Sequence, residues 1–188
     1  MKIAVVGTGN VAERNYLPFL TQQADVKLSV YSRTSAKAEA CAAKCGARVA
    51  ASIKDLMADA PDAVMVLTRE MDRYDAAMSV LEHRPKRIFF EKPLVAFQDQ
   101  AHVTEDDFTK GREILRKAKA AGCETAMVFN YRFFDQSLRA RKILSERPFG
   151  KPIQATALVH YACWSHSIDL IHSFAGPIAG MTAITGVR

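Results

Sequence analysis

The stretch Lys2–Glu13, KIAVVGTGNVAE, decides the fold of this chain. An apolar, β-branched run leads directly into the pattern G-x-G-x-x-A, which is formed by Gly7, Gly9 and Ala12. The run predicts a buried strand and the residues after it predict a helix, so the pattern lies at a strand-to-helix turn. There the first glycine makes the tight turn, the second lets a pyrophosphate approach the backbone, and the alanine lets helix and strand pack closely.

A dinucleotide-binding turn is therefore the favoured interpretation, and an ordinary glycine turn in a βα unit is the alternative. The helix that follows would offer amide groups and the positive end of its dipole to the phosphates. The residues predicted to contact the dinucleotide at this turn are Gly7, Thr8, Gly9, Asn10, Val11 and Ala12.

Apolar runs and segments of helical periodicity alternate along the first half of the chain. Strands are predicted at 2–6, 26–31, 47–50, 63–68 and 87–91, and helices from 10 and at 35–45, 52–59 and 73–83. The strands are apolar on both faces, as buried parallel strands are, so we predict an α/β fold with a doubly wound parallel sheet. Ser35 and Ser52 are predicted N-caps, and Gly46 is predicted to end the second helix.

A second group of elements follows Glu91. The segment from Val103 to Gly122 predicts a long amphipathic helix with Thr104 as its N-cap. Beyond it, strands are predicted at 124–131, 152–161 and 181–187, and helices near 135–146 and 165–175. We place the boundary between two domains at 122/123, so that the C-terminal α/β region, 123–188, is short.

Composition excludes several classes of protein. The 188 residues are 49% hydrophobic and 24% charged, which is typical of a globular chain. The net charge of +6 is dispersed, and its densest clusters, 111–119 and 138–147, have the helical spacing of a solvated face, so we predict no nucleic-acid partner. The uncharged stretch 170–187 is broken by glycines and a proline, and we predict no membrane span there.

The four cysteines are scattered and form no C-x-x-C pair, and Met1 leads straight into a strand without a signal peptide. A reducing cytoplasm is the predicted location. The five histidines do not suggest a metal site.

The end of the second predicted strand bears on which dinucleotide binds. A carboxylate there binds the ribose diol of NAD and repels the 2′-phosphate of NADP. This chain instead has Ser32 and Arg33, a hydroxyl and a guanidinium that suit a phosphate. We therefore predict NADP, with NAD less favoured; the alternative for Arg33 is an ordinary surface charge.

Lys92 lies in FFEKPL, residues 89–94, at the carboxyl end of the fifth predicted strand. Ligands of open α/β sheets collect at that edge, so Lys92 would face the cofactor crevice. Alone, a Lys-Pro pair after a strand is usually a solvated charge and a strand stop. Together with the glycine turn, NYRF at 130–133 and WSHSIDLIHSFAG at 164–176, however, the chain resembles the Gfo/Idh/MocA oxidoreductases from Met1 to about Gly176.

The resemblance implies an N-terminal Rossmann dinucleotide-binding domain over 1–122, a C-terminal substrate or dimerisation region, and hydride transfer between nicotinamide and a hydroxyl-bearing carbon. It implies that Lys92 contacts the reacting hydroxyl and that His166 is an acid/base, a role that suits imidazole near neutral pH. Thr68, Glu91 and Lys92 join Ser32 and Arg33 as predicted cofactor contacts. The predicted substrate-binding residues are Asn130, Tyr131, Arg132 and Asp169.

Two departures from the family pattern bear on activity. Ala162 stands where many members have an aspartate four residues before the histidine. LTREMDRYD follows the fourth strand, where many members have a proline and a later histidine.

The leading prediction is an NADP-dependent oxidoreductase acting on a sugar-like secondary alcohol or ketone. The alternative is a nucleotide-binding sensor or subunit without catalysis. A homodimer through the short C-terminal sheet is also predicted, because strands 152–161 and 181–187 would otherwise leave unpaired edges.

Overall fold

The computed structural model of the chain describes residues 1–160, 163–180 and 182. Six parallel strands form one sheet in the order β3-β2-β1-β4-β5-β6. The strands are β1 (Lys2–Val6), β2 (Lys27–Tyr31), β3 (Arg48–Val49), β4 (Ala63–Val66), β5 (Arg87–Phe90) and β6 (Glu124–Met127). This order reverses direction at β1, so the predicted doubly wound parallel sheet is confirmed.

Helices cover both faces of the sheet. A π-helical turn, Ala12–Tyr16, leads into α1 (Leu17–Leu20), and the helices that follow in the same unit are α2 (Ser35–Cys45), α3 (Ile53–Ala58), α4 (Glu70–Glu82) and α5 (Glu105–Ala120). Most predicted boundaries agree within one or two residues, whereas α4 begins three residues before its predicted start.

The core lies in two layers, one on each face of the sheet. Alternate residues of β1 divide between them: Ile3 and Val5 pack with the first two helices, and Ala4 and Val6 pack with α3, α4 and α5. Burying a valine completely contributes about 1.5–3 kcal/mol, so these alternating apolar side chains fix both helical layers on the sheet. The carboxyl edge of the strands is thereby held in place as a platform for loops.

The predicted caps are largely confirmed. Ser52 caps α3 by accepting a hydrogen bond from the Asp55 amide at 3.0 Å, and Gly46 ends α2 in the left-handed conformation. The N-cap of α2, however, is Thr34 rather than Ser35. Ser35 is the first helical residue, and its hydroxyl donates to Glu39 at 2.6 Å instead of capping the backbone.

The chain divides into two compact units, Met1–Val128 and a second that begins at Phe129. The first unit therefore extends beyond the predicted boundary at 122/123, because β6 pairs with β5 and completes the sheet. The second unit contains a 3₁₀ turn, Asn130–Phe133, and the helices α6 (Asp135–Glu146) and α7 (Trp164–Ala175). No helix in the described ranges is both long and apolar enough to span a bilayer.

The strand predicted at 124–131 ends early, at Met127. The Val128 amide still donates to the Phe90 carbonyl at 3.0 Å, but β5 itself ends at Phe90 and offers no further partner. Asn130, Tyr131 and Arg132 consequently lie in the 3₁₀ turn and not at the end of a strand.

The strand predicted at 152–161 is also wrong over the residues that the structure describes. Residues 152–160 have no regular structure, and the side chains of Ile153 and Leu158 are almost fully exposed. A strand needs a neighbouring backbone to satisfy its hydrogen bonds, and β-prone composition does not supply one. Of the strand predicted at 181–187, all but residue 182 lies outside the described residues, as does Ala162.

Candidate functional site

The end of β1 makes a tight turn at Gly7. Its amide donates to the Tyr31 carbonyl at 2.9 Å, and its φ of +99° lies in the region that favours glycine. A Cβ atom on Gly7 would lie 2.8 Å from the Thr68 amide nitrogen, which is too close for any side chain. Gly7 thus allows the loops after β1 and β4 to touch.

Gly9 shows the opposite environment. A Cβ atom there would meet no atom of a neighbouring described residue within 4 Å, and the Gly9 carbonyl accepts the first helical hydrogen bond, from Glu13 at 3.0 Å. Beside it, the Thr8 and Thr68 hydroxyls are buried, and neither has a hydrogen-bond partner among the described residues. Buried hydroxyls are normally satisfied, so two hydroxyls without a partner in the described part of the chain, together with the open space at Gly9, are compatible with a ligand rich in acceptors, such as a pyrophosphate.

The rest of the glycine turn behaves as the pattern predicts. Ala12 is completely buried in the core between helix and sheet, whereas Asn10 and Val11 are exposed at the start of the helix. A larger side chain at Ala12 would push the helix away from β1.

The predicted cofactor-selecting residues follow β2. Ser32 is half-buried, and Arg33 is exposed. The Arg33 guanidinium pairs with Asp72 of α4 at 2.9 Å. A carboxylate is therefore present near the end of β2 after all. It is that of Asp72, which α4 brings there and which the sequence pattern did not predict.

Lys92 lies just beyond the carboxyl end of β5, as predicted, and Glu91, which the predicted strand 87–91 included, also follows the strand. One Glu91 carboxylate oxygen accepts the Tyr16 hydroxyl at 2.7 Å, and the other accepts the Lys92 amide at 2.8 Å. Burial, together with the hydrogen bond to this carboxylate, raises the pKa of Tyr16 well above its usual value, so the phenol remains a donor. Glu91 therefore anchors the backbone that carries the half-buried Lys92.

Arg73 is a residue of this site that sequence reasoning missed. It lies on α4, is 2% exposed, and donates to the carbonyl oxygens of Thr68, Glu91 and Pro93. Burial lowers its pKa to about 10, which leaves it charged at neutral pH. Its guanidinium thus ties the ends of β4 and β5 together.

A second anchor holds the loop after Lys92. The Asp107 carboxylate, 3% exposed on α5, accepts the amides of Phe97 at 2.8 Å and Thr104 at 2.7 Å, and the Thr104 hydroxyl at 3.0 Å. Burial by itself raises the pKa of Asp107, but these hydrogen bonds outweigh it and hold the pKa below its usual value. Both ends of the Lys92 loop are therefore fixed by buried charged groups.

The second unit gathers a different set of predicted residues. The His166 ring is buried and stacks on Tyr131 with ring centres 4.6 Å apart, and Phe129 meets it edge-on at 5.9 Å. The Tyr131 hydroxyl donates to the Cys163 sulfur at 3.3 Å. These aromatic contacts fix the plane of the imidazole.

Arg132 and Asp169 form a bidentate ion pair, with nitrogen-to-oxygen distances of 2.6 and 2.5 Å. The hydrogen bond and charge of Asp169 raise the pKa of Arg132 further. The pair ties the 3₁₀ turn to α7, while Asn130 is exposed. The predicted role of Asp169 in substrate binding stays a prediction.

Each unit thus assembles part of the predicted set. The first holds the glycine turn, Ser32, Arg33, Thr68, Glu91 and Lys92, and the second holds Asn130, Tyr131, Arg132, His166 and Asp169.

Comparison with known proteins also indicates a dinucleotide-binding fold for the first unit. The family model GFO_IDH_MocA, described as an oxidoreductase family with an NAD-binding Rossmann fold, matches residues 1–129. A comparison with curated proteins found no match.

Among solved structures, the chain is similar to the WlbA dehydrogenase from Chromobacterium violaceum, solved with NADH and UDP-GlcNAcA, at 22% identity and a TM-score of 0.71 over 94% of this chain and 56% of that one. It is similar to a 3-ketoreductase from Actinomadura kijaniata, solved with NADP and TDP-benzene, at 20% identity and a TM-score of 0.62 over 80% and 44%. It is also similar to a Gfo/Idh/MocA family oxidoreductase from Vibrio cholerae, at 21% identity and a TM-score of 0.64 over 78% of this chain and 44% of that one. The chain spans about half the length of these proteins.

Proposed function

Because this chain belongs to the Gfo/Idh/MocA oxidoreductase family, we propose that it serves an NADP-dependent oxidoreductase that interconverts a sugar-like secondary alcohol and its ketone. The observation that carries the proposal is the edge of the sheet at β1, β4 and β5. Open space at Gly9 lies at this edge, as do the buried hydroxyls of Thr8 and Thr68, which have no hydrogen-bond partner among the described residues, and Lys92 follows β5.

The first unit would hold the dinucleotide. The amides after Gly7 and the hydroxyls of Thr8 and Thr68 suit its pyrophosphate, and Ser32 and Arg33 suit a 2′-phosphate. Bound nicotinamide would supply or accept the hydride. Two of the solved relatives named above, the 3-ketoreductase and the WlbA dehydrogenase, were obtained with NADP and NADH respectively, which supports a nicotinamide dinucleotide without deciding between the two.

Lys92 is the residue that we propose for contact with the reacting oxygen. Its ammonium group can donate a hydrogen bond to that oxygen and stabilise negative charge as the hydroxyl proton leaves. The anchors at Glu91, Arg73 and Asp107 support this role, because a group that acts on a transition state must be held in position.

In the second unit we propose His166 as the acid/base group and Tyr131 and Asn130 as substrate contacts. The stacked Tyr131 ring limits rotation of the imidazole. Its ring nitrogens therefore keep a fixed orientation, which favours proton transfer to or from a bound substrate. Two of the solved relatives contain a sugar nucleotide or an analogue of one, UDP-GlcNAcA and TDP-benzene, which supports a sugar-like substrate.

A dinucleotide-binding sensor or subunit without catalysis is the second candidate. The ion pair between Arg132 and Asp169 favours it, because two predicted substrate-binding charges are engaged with each other. The enzyme and the sensor make the same prediction for cofactor binding and differ in turnover.

The test is a titration with NADPH and NADH followed by a turnover assay. NADPH should bind in a saturable manner and more tightly than NADH, and a panel of keto-sugars and sugar nucleotides should contain a compound that oxidises NADPH. Equal affinity for the two dinucleotides would refute the NADP preference. Tight binding without turnover across the panel would favour the sensor.

We also propose that the chain self-associates. Large apolar side chains of the second unit are more than half exposed, and apolar surface of this kind is commonly covered in assemblies. They are Phe133, Phe149, Ile153, Leu158 and Trp164. Light scattering at micromolar concentration should report a dimer, and a monodisperse monomer would contradict the proposal.

A cytoplasmic location is proposed on the state of the cysteines. Cys41, Cys45, Cys123 and Cys163 are all free thiols, which suits a reducing compartment. Fractionation of the source cells with an antibody to the chain should find it in the cytosolic fraction, and recovery from an oxidising compartment would contradict this.

A further inference from the structure

Two arginines from different loops converge on one carboxylate beside the glycine turn. The Arg33 guanidinium lies 2.9 Å from one oxygen of Asp72, and the Arg69 guanidinium lies 3.3 Å from the other. The residues at the end of the second strand point to Arg33 alone, because Arg69 and Asp72 follow a different strand.

The sheet order explains why these residues meet. Arg33 follows β2 and Arg69 follows β4, the two strands on either side of β1. The cluster therefore lies at the carboxyl edge of the sheet, on the same edge as Gly7. Ligands of open α/β sheets bind at this edge, where the strand order reverses.

The exposure of the three side chains shows which of them a ligand can reach. The Arg33 and Arg69 side chains are 74% and 69% exposed, whereas Asp72 is only 23% exposed. Two positive charges face one negative charge, so the cluster carries a net positive charge. Exposed ion pairs of this kind are weak and are readily exchanged for a stronger anion.

We propose that Arg69 is a second guanidinium for the 2′-phosphate of NADP, that it acts with Arg33, and that the phosphate takes the place of Asp72 between them. The proposal rests on the proposed function, because it presupposes that a dinucleotide binds at this edge. A phosphate offers more acceptor oxygens than a carboxylate and carries more charge, so both guanidiniums bind it more strongly.

Asp72 is then a specificity-determining residue that limits the preference for NADP. It holds the arginines in place in the free protein, but its negative charge opposes the incoming phosphate. The asparagine variant keeps the shape of the side chain and removes that charge. Affinity for NADPH should therefore rise in Asp72→Asn, while affinity for NADH should change little.

The experiment measures dissociation constants for NADPH and NADH by calorimetric titration of the wild-type chain and four variants. Arg69→Ala and Arg33→Ala should each weaken NADPH binding about tenfold and leave NADH binding within about twofold. Asp72→Asn should strengthen NADPH binding severalfold. Arg87→Ala is the control, because Arg87 is also an exposed arginine in an ion pair, 2.9 Å from Glu124, but lies at the opposite end of the strands.

The outcomes separate this inference from the proposed function. If Arg33→Ala weakens NADPH binding but Arg69→Ala matches Arg87→Ala, the proposed NADP preference stands and the role of Arg69 is refuted. If Asp72→Asn weakens NADH binding, Asp72 binds the ribose hydroxyls and the displacement is refuted. If the wild type does not distinguish NADPH from NADH, or binds neither, both proposals fail.

Discussion

Arg73 and Glu91 are joined by a hydrogen bond of 2.8 Å from the guanidinium to the main-chain oxygen, across two elements of the first unit. The same guanidinium also donates to the carbonyls of Thr68 and Pro93. These carbonyls lie beyond the ends of the strands, where the sheet supplies no amide donors. The buried Arg73 guanidinium donates the hydrogen bonds instead. The loop that carries Lys92 is fixed from the side of α4.

Replacing Arg73 by alanine should lower the free energy of unfolding by about 3 kcal/mol, because buried carbonyls would lose their donors. Arg73→Lys should recover only part of that loss, since an ammonium cannot reproduce the planar fork. Urea unfolding measures both, with exposed Arg116 of α5 replaced by alanine as the control. Equal stability of Arg73→Ala and Arg116→Ala would contradict the role of Arg73.

The sequence carried a signal for Arg73 that composition does not reveal. In α4 it precedes the buried Ala77 and Val80 by four and seven residues, so it occupies the buried face of the helix. A charged residue on such a face must find partners. Which carbonyls it meets depends on the ends of β4 and β5, and helical periodicity cannot provide that information.

Gly7→Ala and Gly9→Ala should behave differently although the two glycines belong to one motif. The Gly7 variant should lose about 2–4 kcal/mol, because it combines a positive φ with a 2.8 Å contact to the Thr68 backbone. The Gly9 variant should keep its stability within about 0.5 kcal/mol, because the added methyl meets nothing within 4 Å in the part of the chain that the structure describes.

Dinucleotide affinity completes that comparison. Gly9→Ala should bind NADPH at least about tenfold more weakly, since the methyl occupies space proposed for the pyrophosphate. Thermal unfolding and a fluorescence titration on the same samples give both values. An unaltered affinity in a stable Gly9→Ala protein would mean that the phosphates do not approach Gly9.

Asp107 should make the stability of the first unit depend on acid pH. Its folded pKa lies below the unfolded value of about 3.9, so its stabilising contribution is complete above that pH and is lost as the pH falls through the folded pKa. Asp107→Asn should be less stable by about 1–2 kcal/mol at neutral pH. The difference from wild type should shrink below about pH 4, and a constant difference into acid would contradict this.

The pair Arg132–Asp169 can be tested by a double-mutant cycle. Asp169 is 9% exposed, so removal of either partner should destabilise the second unit, and the double variant should cost less than the sum of the single ones. A coupling of about 1–2 kcal/mol is expected. If the free-energy losses of the two single variants are additive, the ion pair does not stabilise the fold. Both side chains would then be available for substrate binding.

The sequence predicted the first unit better than the second for a physical reason. Strands such as β1 and β4 are buried on both faces, so their composition reflects their packing. Residues 152–160 have similar composition but no neighbouring strand in the described part of the chain, and they remain irregular. The ion pair between Arg33 and Asp72 joins the end of β2 to α4. A local sequence pattern cannot predict such a contact between separate elements.

Lys92 is the residue that we propose acts on the substrate, and a single-turnover measurement tests this role without interference from product release. NADPH is bound to the protein, the substrate found in the panel is added, and oxidation of the nicotinamide is followed by absorbance in the wild type, Lys92→Ala and His166→Ala. We predict that Lys92→Ala binds NADPH as the wild type does and oxidises it at least about a thousandfold more slowly, with a smaller loss for His166→Ala. A Lys92→Ala protein that retains nearly the wild-type rate would contradict the assignment of the site.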